Sequence, residues 1–392
     1  MRKLLDDIIN KKSRIAIGLM SGTSLDGIDS CIVEIEGVGR ETKFKLIEFI
    51  TVDYSVVERK KLEKICSNET ATLEDICFMN TYLGNKFADA AISVCKKAGI
   101  STEDIDFISS HGQTIYHMPH KGSTFQIGEL ANIAGKTGCI TVGDFRPSDM
   151  AYGGQGAPLV PFVDYILFSN NEKGRIMLNL GGIANITVLP KGCSSEDVFA
   201  FDTGPANLLI DAITKIITNG ELDFDLNSEI AMTGSIDEKW LDEIIANDRY
   251  LYVNPPKSTG REYYNKEYAM QLYNNGLKRN LRNEDILATI TAYTAKTVCH
   301  QIDRYVKPVT WINEIYIGGG GAHNKMVVNL LEKYSGLDVY NMDELGLPAD
   351  AKEAVAFAVL GNQFLFGKTN NIPGATGANR EVIMGKLVIP SR

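Results

Sequence analysis

A carboxylate and a guanidinium stand two positions apart in the segment Thr141–Asp149, directly after a short strand-like run. Asp144 could accept a proton from an attacking nucleophile, and Arg146 could bind a carboxylate or phosphate through two parallel hydrogen bonds. The glycine-rich segment Gly153–Pro158, which includes Gly154 and Gln155, follows at once and suits the wall of a cleft. The same Asp and Arg could instead form a local pair that only stabilises a loop. The residues alone leave both interpretations open.

A second set of polar residues lies in the segment Ser110–Thr114, at the end of another strand-like run. His111 and Gln113 could line a substrate site or could only fill the strand end, and a lining role is favoured over acid–base work. The segment Lys257–Glu262 packs hydroxyls and charges into one loop. It could form a mobile cleft wall or an ordinary solvated loop.

The segment Gly18–Gly27 has the composition of a phosphate-binding turn. Glycine lets the backbone N–H groups approach phosphate oxygens, and the hydroxyls of neighbouring residues can donate to them. Asp26 could hold Mg²⁺ directly or through water. A tight hairpin with a capping Asp is the alternative. The residues predicted to bind ATP here are Gly18, Ser21, Gly22, Thr23, Ser24 and Asp26.

Two later glycine turns extend this pattern in chain order. In Phe201–Asn207 an acidic residue and a glycine end a strand, and a helix is predicted to open at Pro205, whose free N–H groups would favour an anion. In Ile317–Asn324 four glycines after a buried strand would let a flat ring or a ribose lie against the main chain. Each turn alone is weak evidence, and the three in order are stronger. The predicted ATP-binding residues are Gly181, Gly182, Asp202, Thr203, Gly204, Gly318, Gly319, Gly320 and Asn324.

Strand-like and helical periodicities alternate along the chain, which predicts an α/β class. A strand from Arg14 turns at Ser21–Ser24 and returns as Cys31–Ile35. Another, Arg175–Leu180, turns at Gly181-Gly182 and returns as Ile183–Leu189. Two glycine-turned hairpins, each opening an α/β half, predict a duplicated fold with a cleft between the halves. Two unrelated hairpins are the alternative.

The bulk properties fit an enzyme with small-molecule ligands. The 392 residues suggest two lobes, and the net charge of −9 argues against nonspecific nucleic-acid binding. The seven cysteines include no CxxC pair, so they are predicted to be reduced. The absence of a long apolar run and the polar N-terminus predict a cytoplasmic protein with no membrane segment.

Eight segments, in order, resemble those of the anhydro-N-acetylmuramic acid kinases, and the resemblance runs from about residue 14 to the end. They are Ile17–Asp29, Ser110–Thr114, Val142–Arg146, Gly153–Val160, Asn179–Asn185, Phe201–Asn207, Lys257–Glu262 and Gly319–Asn324.

The resemblance implies a two-lobed actin-like ATPase fold, built from duplicated ribonuclease-H-like domains with an interlobe cleft. The expected lobes are residues 1–170 with 350–392, and residues 171–349. It also implies ATP with Mg²⁺ and a homodimer. Water would open the 1,6-anhydro bond of 1,6-anhydro-N-acetylmuramic acid while O6 receives the γ-phosphate, in cell-wall recycling.

On this resemblance Asp144 would take the proton from the water that attacks C1, as the base of an inverting glycosidase does. Asp26 and Asp202 would place magnesium, Ser21–Ser24 would hold the γ-phosphate, and Gly318–Gly321 would seat the adenosine. Arg146, His111, Gln113, Gly154 and Gln155 are the expected substrate-binding residues. Another sugar kinase of the same fold is the first alternative. A noncatalytic ATP- or sugar-binding regulator is the second, and the three carboxylates argue against it.

Overall fold

The computed structural model describes residues 2–391, with side chains from residue 5. The chain divides into two compact units. The first unit holds the chain up to Leu167 and again from Gly346 onward, and the second holds Phe168–Leu345. The borders predicted from the sequence, 170/171 and 349/350, differ from these by three and four residues. Each unit has its own sheet and its own hydrophobic core.

The strands form two sheets. The first unit has the order β12-β6-β4-β1-β2-β3, with β5 added to β4, and the second has β11-β10-β7-β8-β9. The strands are β1 (Ser13–Ser21), β2 (Gly27–Glu36), β3 (Lys43–Asp53), β4 (Phe107–Met118), β5 (Ser123–Ile127), β6 (Ile140–Gly143), β7 (Arg175–Leu180), β8 (Ile183–Leu189), β9 (Phe199–Pro205), β10 (Glu314–Gly318), β11 (Asp338–Asn341) and β12 (Lys386–Val388).

The two sheets repeat one topology. In each, three consecutive strands form an antiparallel meander, β1-β2-β3 and β7-β8-β9. The first strand of each meander pairs in parallel with a later strand, β4 or β10, which pairs in parallel with a third, β6 or β11. The same order and directions occur twice. The α/β class and the duplication are therefore confirmed, and the interpretation as two unrelated hairpins is wrong.

The helices connect and cover these strands. They are α1 (Arg2–Ile9), α2 (Val56–Ile65), α3 (Leu73–Ala98), α4 (Leu130–Thr137), α5 (Arg146–Ala151), α6 (Val160–Phe168), α7 (Asn207–Ile217), α8 (Glu238–Asn247), α9 (Lys266–Lys278), α10 (Asn283–Gln301), α11 (Lys325–Ser335), α12 (Lys352–Leu365) and α13 (Pro373–Thr376). None of the helices in the described part of the chain is long and apolar enough to cross a bilayer.

Helix α3 shows how sequence sets these elements. Thr72 caps its start by accepting a hydrogen bond from the Asp75 amide, and Gly99 ends it in the left-handed conformation. Helical spacing in the sequence predicts one apolar face of this helix, formed by Leu83, Phe87, Ala91, Val94 and Ala98. The first four are fully buried and Ala98 is partly buried, so the face is confirmed. Burial of each larger side chain on this face contributes about 1.5–3 kcal/mol, which holds the helix on the sheet.

Helix α7 departs from its predicted start. Pro205 was expected to be the first helical residue, but it is the last residue of β9, and the helix begins at Asn207. The apolar spacing of this helix does not reveal how far the preceding strand continues. Pro205 can end the strand because β9 is an edge strand, where a missing N–H is tolerated.

Candidate active site

The turn between β1 and β2 begins with an inward-facing serine. Ser21 Oγ lies 2.6 Å from Gln113 Oε1, 2.9 Å from the Gly27 carbonyl and 3.0 Å from the Tyr54 hydroxyl. Its side chain is 1% exposed. One hydroxyl hydrogen cannot serve these acceptors and a phosphate as well. The expectation that the Ser21 side chain contacts phosphate is therefore corrected: it closes the hairpin.

Gln113 supports the same turn from β4. Its Nε2 donates to the carbonyls of Gly22 and Thr114, both at 3.1 Å, while Oε1 faces Ser21. The residue is fully buried. Gln113 therefore fixes the shape of the turn, and the expected substrate contact through its side chain is corrected.

The middle of the turn is open. Thr23, Ser24 and Asp26 are exposed, and Asp26 Oδ1 accepts from Ser24 Oγ at 2.8 Å and from the Gly27 amide at 3.0 Å. Leu25 adopts a left-handed backbone with φ of +56°. An exposed carboxylate beside two exposed hydroxyls suits a magnesium ion that keeps most of its water ligands. Among residues 5–391, no three His, Cys, Asp or Glu side chains converge to hold a metal.

Gly18 serves packing between two elements of the first unit. A Cβ at this position would lie 1.8 Å from the carbonyl oxygen of Ala354 in α12. Since a real Cβ never comes this close to backbone, only glycine lets α12 pack on β1. The expected ATP contact at Gly18 stays a prediction, and the packing against α12 is by itself sufficient to require glycine.

Two further carboxylates lie near the open turn. Burial raises the pKa of Asp29, and the charges of Asp26 and Asp350 add to this effect against a hydrogen bond from Thr51. The pKa of Glu353 is also raised, mainly because surrounding protein displaces water, and the Asp29 charge adds to it. Glu353 nevertheless keeps an exposed surface. Both carboxylates therefore lie within electrostatic range of Asp26 in the turn.

Asp144 follows β6 with a left-handed φ of +53°. Its carboxylate forms an ion pair with Lys386 of β12. In the sheet β12 flanks β6 on the side away from β4 and β1. The role of Asp144 as general base stays a prediction, and the structure gives its carboxylate a partner at the sheet edge.

His111 and Arg146 form a buried pair. Arg146 donates from Nε and Nη2 to His111 Nε2, at 3.1 and 2.9 Å, and its Nη1 donates to the Gly156 carbonyl at 2.6 Å. Burial, and to a smaller extent the Arg146 charge, lowers the pKa of His111 to about 3. Burial lowers the pKa of Arg146 to about 10. At neutral pH His111 is therefore uncharged and Arg146 is a cation. His111 orients the Arg146 guanidinium and does not act as a general acid.

The loop after α5 exposes one long polar side chain. Gln155 is exposed, whereas Gly154 and Gly156 are buried. The backbone amide of Gln155 donates to the Thr376 carbonyl at 2.8 Å, which fixes the backbone at this position. Of this loop, the Gln155 side chain is the group available to a ligand.

Asp202 is a partly buried carboxylate of the second unit whose pKa is shifted. Its Oδ2 accepts from the Thr259 amide at 2.9 Å, its own amide donates to the Lys257 carbonyl at 3.2 Å, and its carbonyl accepts from the Tyr250 hydroxyl at 2.7 Å. Burial raises its pKa to about 6, against the Thr259 hydrogen bond, and the Glu262 charge raises it further. The Lys257–Glu262 loop thus contacts the acidic turn directly.

An aromatic cage anchors that loop through Lys257. The ammonium lies 4.6 Å from the ring centre of Tyr250 and 4.9 Å from that of Tyr305. Its Nζ donates to Gln301 Oε1 at 2.6 Å and to the Tyr250 carbonyl at 3.1 Å. Burial lowers the pKa of Lys257 to about 8. This end of the loop is therefore held, which corrects the picture of a freely mobile wall.

The start of α7 is not an open anion site. The amides of Ala206 and Leu208 donate to the Gly182 carbonyl, and the amide of Asn207 donates to the Gly181 carbonyl. The expectation of free N–H groups here is corrected. The Thr203 hydroxyl is also buried and donates to the Ala184 carbonyl at 3.1 Å, so its expected ATP contact through the side chain is corrected as well.

Gly204 in the same turn is buried and has a φ of +150°, a backbone that favours glycine. A Cβ there would lie 3.4 Å from Thr297 of α10. Gly181 and Gly182 keep solvent contact. The β7–β8 turn is therefore the more open of the two glycine segments.

The glycine run after β10 is open at its centre. Gly320 is exposed, and a Cβ there would come no closer than 3.8 Å to any neighbour. Gly319 has a φ of +79° and lies against Asn179, while Gly318 is the last, buried residue of the strand. A flat ligand could rest on this surface.

Asn324 caps α11 instead of facing a ligand. Its Oδ1 accepts from the Val327 amide at 3.0 Å and from Ser228 Oγ at 2.7 Å, and the residue is 8% exposed. The expected ATP contact through the Asn324 carboxamide oxygen is therefore corrected to a helix cap.

Comparisons with known proteins identify the family of this chain. The family model for anhydro-N-acetylmuramic acid kinase matches residues 14–390. A protein of that name from Caldanaerobacter subterraneus subsp. tengcongensis is 45% identical over 97% of this chain and 98% of its own. The chain belongs to the anhydro-N-acetylmuramic acid kinase family. Proteins of the same name from Clostridioides difficile and Bacillus cereus are each 42% identical, over 95% of this chain and 97% and 99% of their own.

Sequence reasoning missed three residues in this member of the family. Asp29 lies inside a quoted motif, and a carboxylate within a buried strand was its available signal. Glu353 stands at the start of an apolar helix, where a charge resembles an ordinary solvated first turn. Thr259 acts through its backbone amide, which leaves no signal in side-chain chemistry.

Proposed function

We propose that this chain is an ATP-dependent kinase that hydrolytically opens 1,6-anhydro-N-acetylmuramic acid and phosphorylates its O6. The products are N-acetylmuramic acid 6-phosphate and ADP, within peptidoglycan recycling. The observation that carries the proposal is the family match over residues 14–390, joined by near-complete coverage of the relatives. The duplicated sheet with glycine turns at its strand ends supports the use of ATP.

Apart from the proton transfer, the proposed reaction forms two bonds and breaks two, one of each at C1 and one of each at the γ-phosphorus. Water adds to C1 as the C1–O6 bond breaks, and one water proton passes to a carboxylate. O6 then bonds to the γ-phosphorus as the bond from phosphorus to the ADP oxygen breaks. Phosphoryl transfer thus takes the place of the general acid that would otherwise protonate O6.

Two carboxylates compete for the role of general base. A base works best when its pKa lies near the working pH. Asp202 meets this condition, since burial raises its pKa to about 6. Asp144, the base predicted from the sequence, has its carboxylate paired with Lys386. The pair with Lys386 is exposed and worth only about 0–1 kcal/mol, so Asp144 can exchange it for a ligand. We therefore keep Asp144 as the base, with Asp202 placed beside Asp26 at the magnesium and as the alternative base.

The remaining roles are assigned by unit. In the first unit, Thr23, Ser24 and the backbone of the β1–β2 turn would bind phosphate. Gln155 and the Arg146 cation would bind the sugar. Asp26 would hold Mg²⁺, directly or through water, and the metal would neutralise phosphate charge. In the second unit, Gly181 and Gly182 would approach phosphate, and Gly319 and Gly320 would carry the adenosine.

A substrate panel tests the proposal. Purified protein with Mg²⁺ and ATP should release ADP when 1,6-anhydro-N-acetylmuramic acid is added. The rate should be at least about 100-fold higher than with glucose or N-acetylmuramic acid, which corresponds to about 3 kcal/mol of discrimination. Gel filtration with light scattering of the same sample tests the proposed homodimer. ATP turnover that is indifferent to the anhydro sugar would refute the proposed activity.

A further inference from the structure

A buried carboxylate outside the assigned roles connects two distant parts of the first unit. Asp149 of α5 is fully buried. Its Oδ1 accepts from Asn371 Nδ2 and from Thr376 Oγ1, both at 2.8 Å, and its Oδ2 accepts from the Gly156 amide at 2.8 Å. A buried carboxylate is costly unless several donors satisfy it. Three donors converge on the Asp149 carboxylate, and two of them, from Asn371 and Thr376, are more than 220 positions away from it in the sequence.

The loop that exposes Gln155 is held on both sides by this network. Asp149 accepts a hydrogen bond from the Gly156 amide, and Arg146 donates one to the Gly156 carbonyl at 2.6 Å. A Cβ on Gly154 would lie 2.1 Å from Asp149 Oδ2, so the loop needs glycine to approach the carboxylate. The Gln155 amide donates to the Thr376 carbonyl. The backbone around Gln155 is therefore fixed while its side chain stays open.

The C-terminal segment that supplies these donors is itself anchored. Asn370 Nδ2 donates to the carbonyls of Leu360 and Met384, at 3.1 and 3.0 Å. Asn370 Oδ1 accepts from the Met384 amide at 2.6 Å, and Asn371 Oδ1 accepts from the Val382 amide at 2.7 Å. Asn370 and Asn371 are at most 1% exposed. The segment can therefore act as a rigid support.

We infer that Asp149, Asn371 and Thr376 are positioning residues that hold Gln155 where it can contact the sugar. These three residues do not touch the substrate. They act through the backbone of Gly154–Gly156, so the C-terminal segment belongs to the sugar-binding apparatus. This inference rests on the proposed function, because it takes the exposed Gln155 as a sugar contact.

Two variants at one position separate positioning from bulk packing. Thr376→Val keeps the shape of the side chain but removes the hydroxyl that donates to Asp149, whereas Thr376→Ser keeps the hydroxyl. Thr376→Val should raise the KM for the anhydro sugar about tenfold, with kcat and the KM for ATP changed less than about twofold. Thr376→Ser should retain the KM of the unaltered protein to within about threefold.

Thr369→Val is the matched control. The Thr369 hydroxyl donates to Glu381 at the surface, at 2.9 Å, close in sequence to the same segment. The KM for the sugar should not change. Circular dichroism and thermal unfolding of every variant show that the compared samples are folded.

The outcomes separate the two proposals. An unaltered protein that ignores the anhydro sugar overturns the proposed function and this inference with it. If the unaltered protein is active, and Thr376→Val folds but keeps the same KM for the sugar, only the inference is overturned. Equal rises in the KM for sugar and for ATP would also overturn it, because they would indicate a general loosening of the unit. If Thr376→Val does not fold, Asn371→Ala must show the same selective rise in KM for the sugar, or the inference fails.

Discussion

At the scale of single residues, the same side-chain type serves opposite purposes within one turn. Ser21 is buried among protein acceptors, whereas Ser24 is exposed next to Asp26. The sequence supplies both hydroxyls at the right place but carries no periodicity within a turn, so it could not say which one faces inward. In the strand β9, the Thr203 hydroxyl likewise donates to a protein acceptor, the Ala184 carbonyl.

The choice of base is a prediction at this scale. Asp144→Asn should lower kcat about 1,000-fold, because proton removal by a positioned base contributes about 10²–10⁴-fold. The Kd for ATP should change less than about twofold, because the base acts on water and not on the nucleotide. Initial rates of ADP release with the anhydro sugar, and ATP binding by calorimetry, measure the two effects. A large loss of kcat in Asp202→Asn with little change in Asp144→Asn would move the role to Asp202.

The pH profile gives an independent test of Asp202. This carboxylate must be ionised to place Mg²⁺, and burial raises its pKa to about 6. We therefore expect kcat/KM to rise with pH, by about tenfold per unit below pH 6, and to level off above it. The residual activity of Asp202→Asn should lack this acid limb. A limb with the same midpoint in Asp202→Asn would count against the role of Asp202.

At the scale of elements, apolar spacing predicted the helices better than their boundaries. The buried face of α3 follows the predicted residues, and caps at Thr72 and Gly99 define its ends. The start of α7 was missed by two residues, because β9 continues through Pro205. The order of strands in the sheets depends on pairings across long sequence separations, and only the two hairpins were readable from local pattern.

Gly18 gives a prediction about element packing. Gly18→Ala would force a Cβ to within 1.8 Å of the Ala354 carbonyl, so β1 and α12 would have to separate. We expect a loss of about 3 kcal/mol or more in the free energy of unfolding, measured by urea denaturation. Gly22→Ala is the control, since its Cβ would meet only Ser24 Oγ at 3.6 Å and should cost less than about 1 kcal/mol.

Near-equal stabilities of these two variants would refute the packing role of Gly18. A Gly18→Ala protein that stays folded but loses ATP affinity would instead support the ligand role first expected from the sequence.

At the scale of the whole molecule, duplication explains why glycine turns recur at corresponding places. β1–β2 and β7–β8 occupy the same position in two sheets of the same order. The repeated hairpin was visible in the sequence, and the lobe borders, which came from the family resemblance, stay a prediction. The networks that hold the site together were not visible in the sequence, because Asp149 and Thr376 are brought together only by folding. The interlobe cleft stays a prediction.

The most direct test of the central claim is mass spectrometry of the product made from 1,6-anhydro-N-acetylmuramic acid and ATP in oxygen-18 water. A short reaction is compared with N-acetylmuramic acid 6-phosphate held in the same water for the same time, which corrects for exchange at the anomeric carbon. The account predicts one oxygen-18 atom at the C1 hydroxyl and none in the phosphate group. An unlabelled sugar phosphate, or label found in the phosphate, would contradict it.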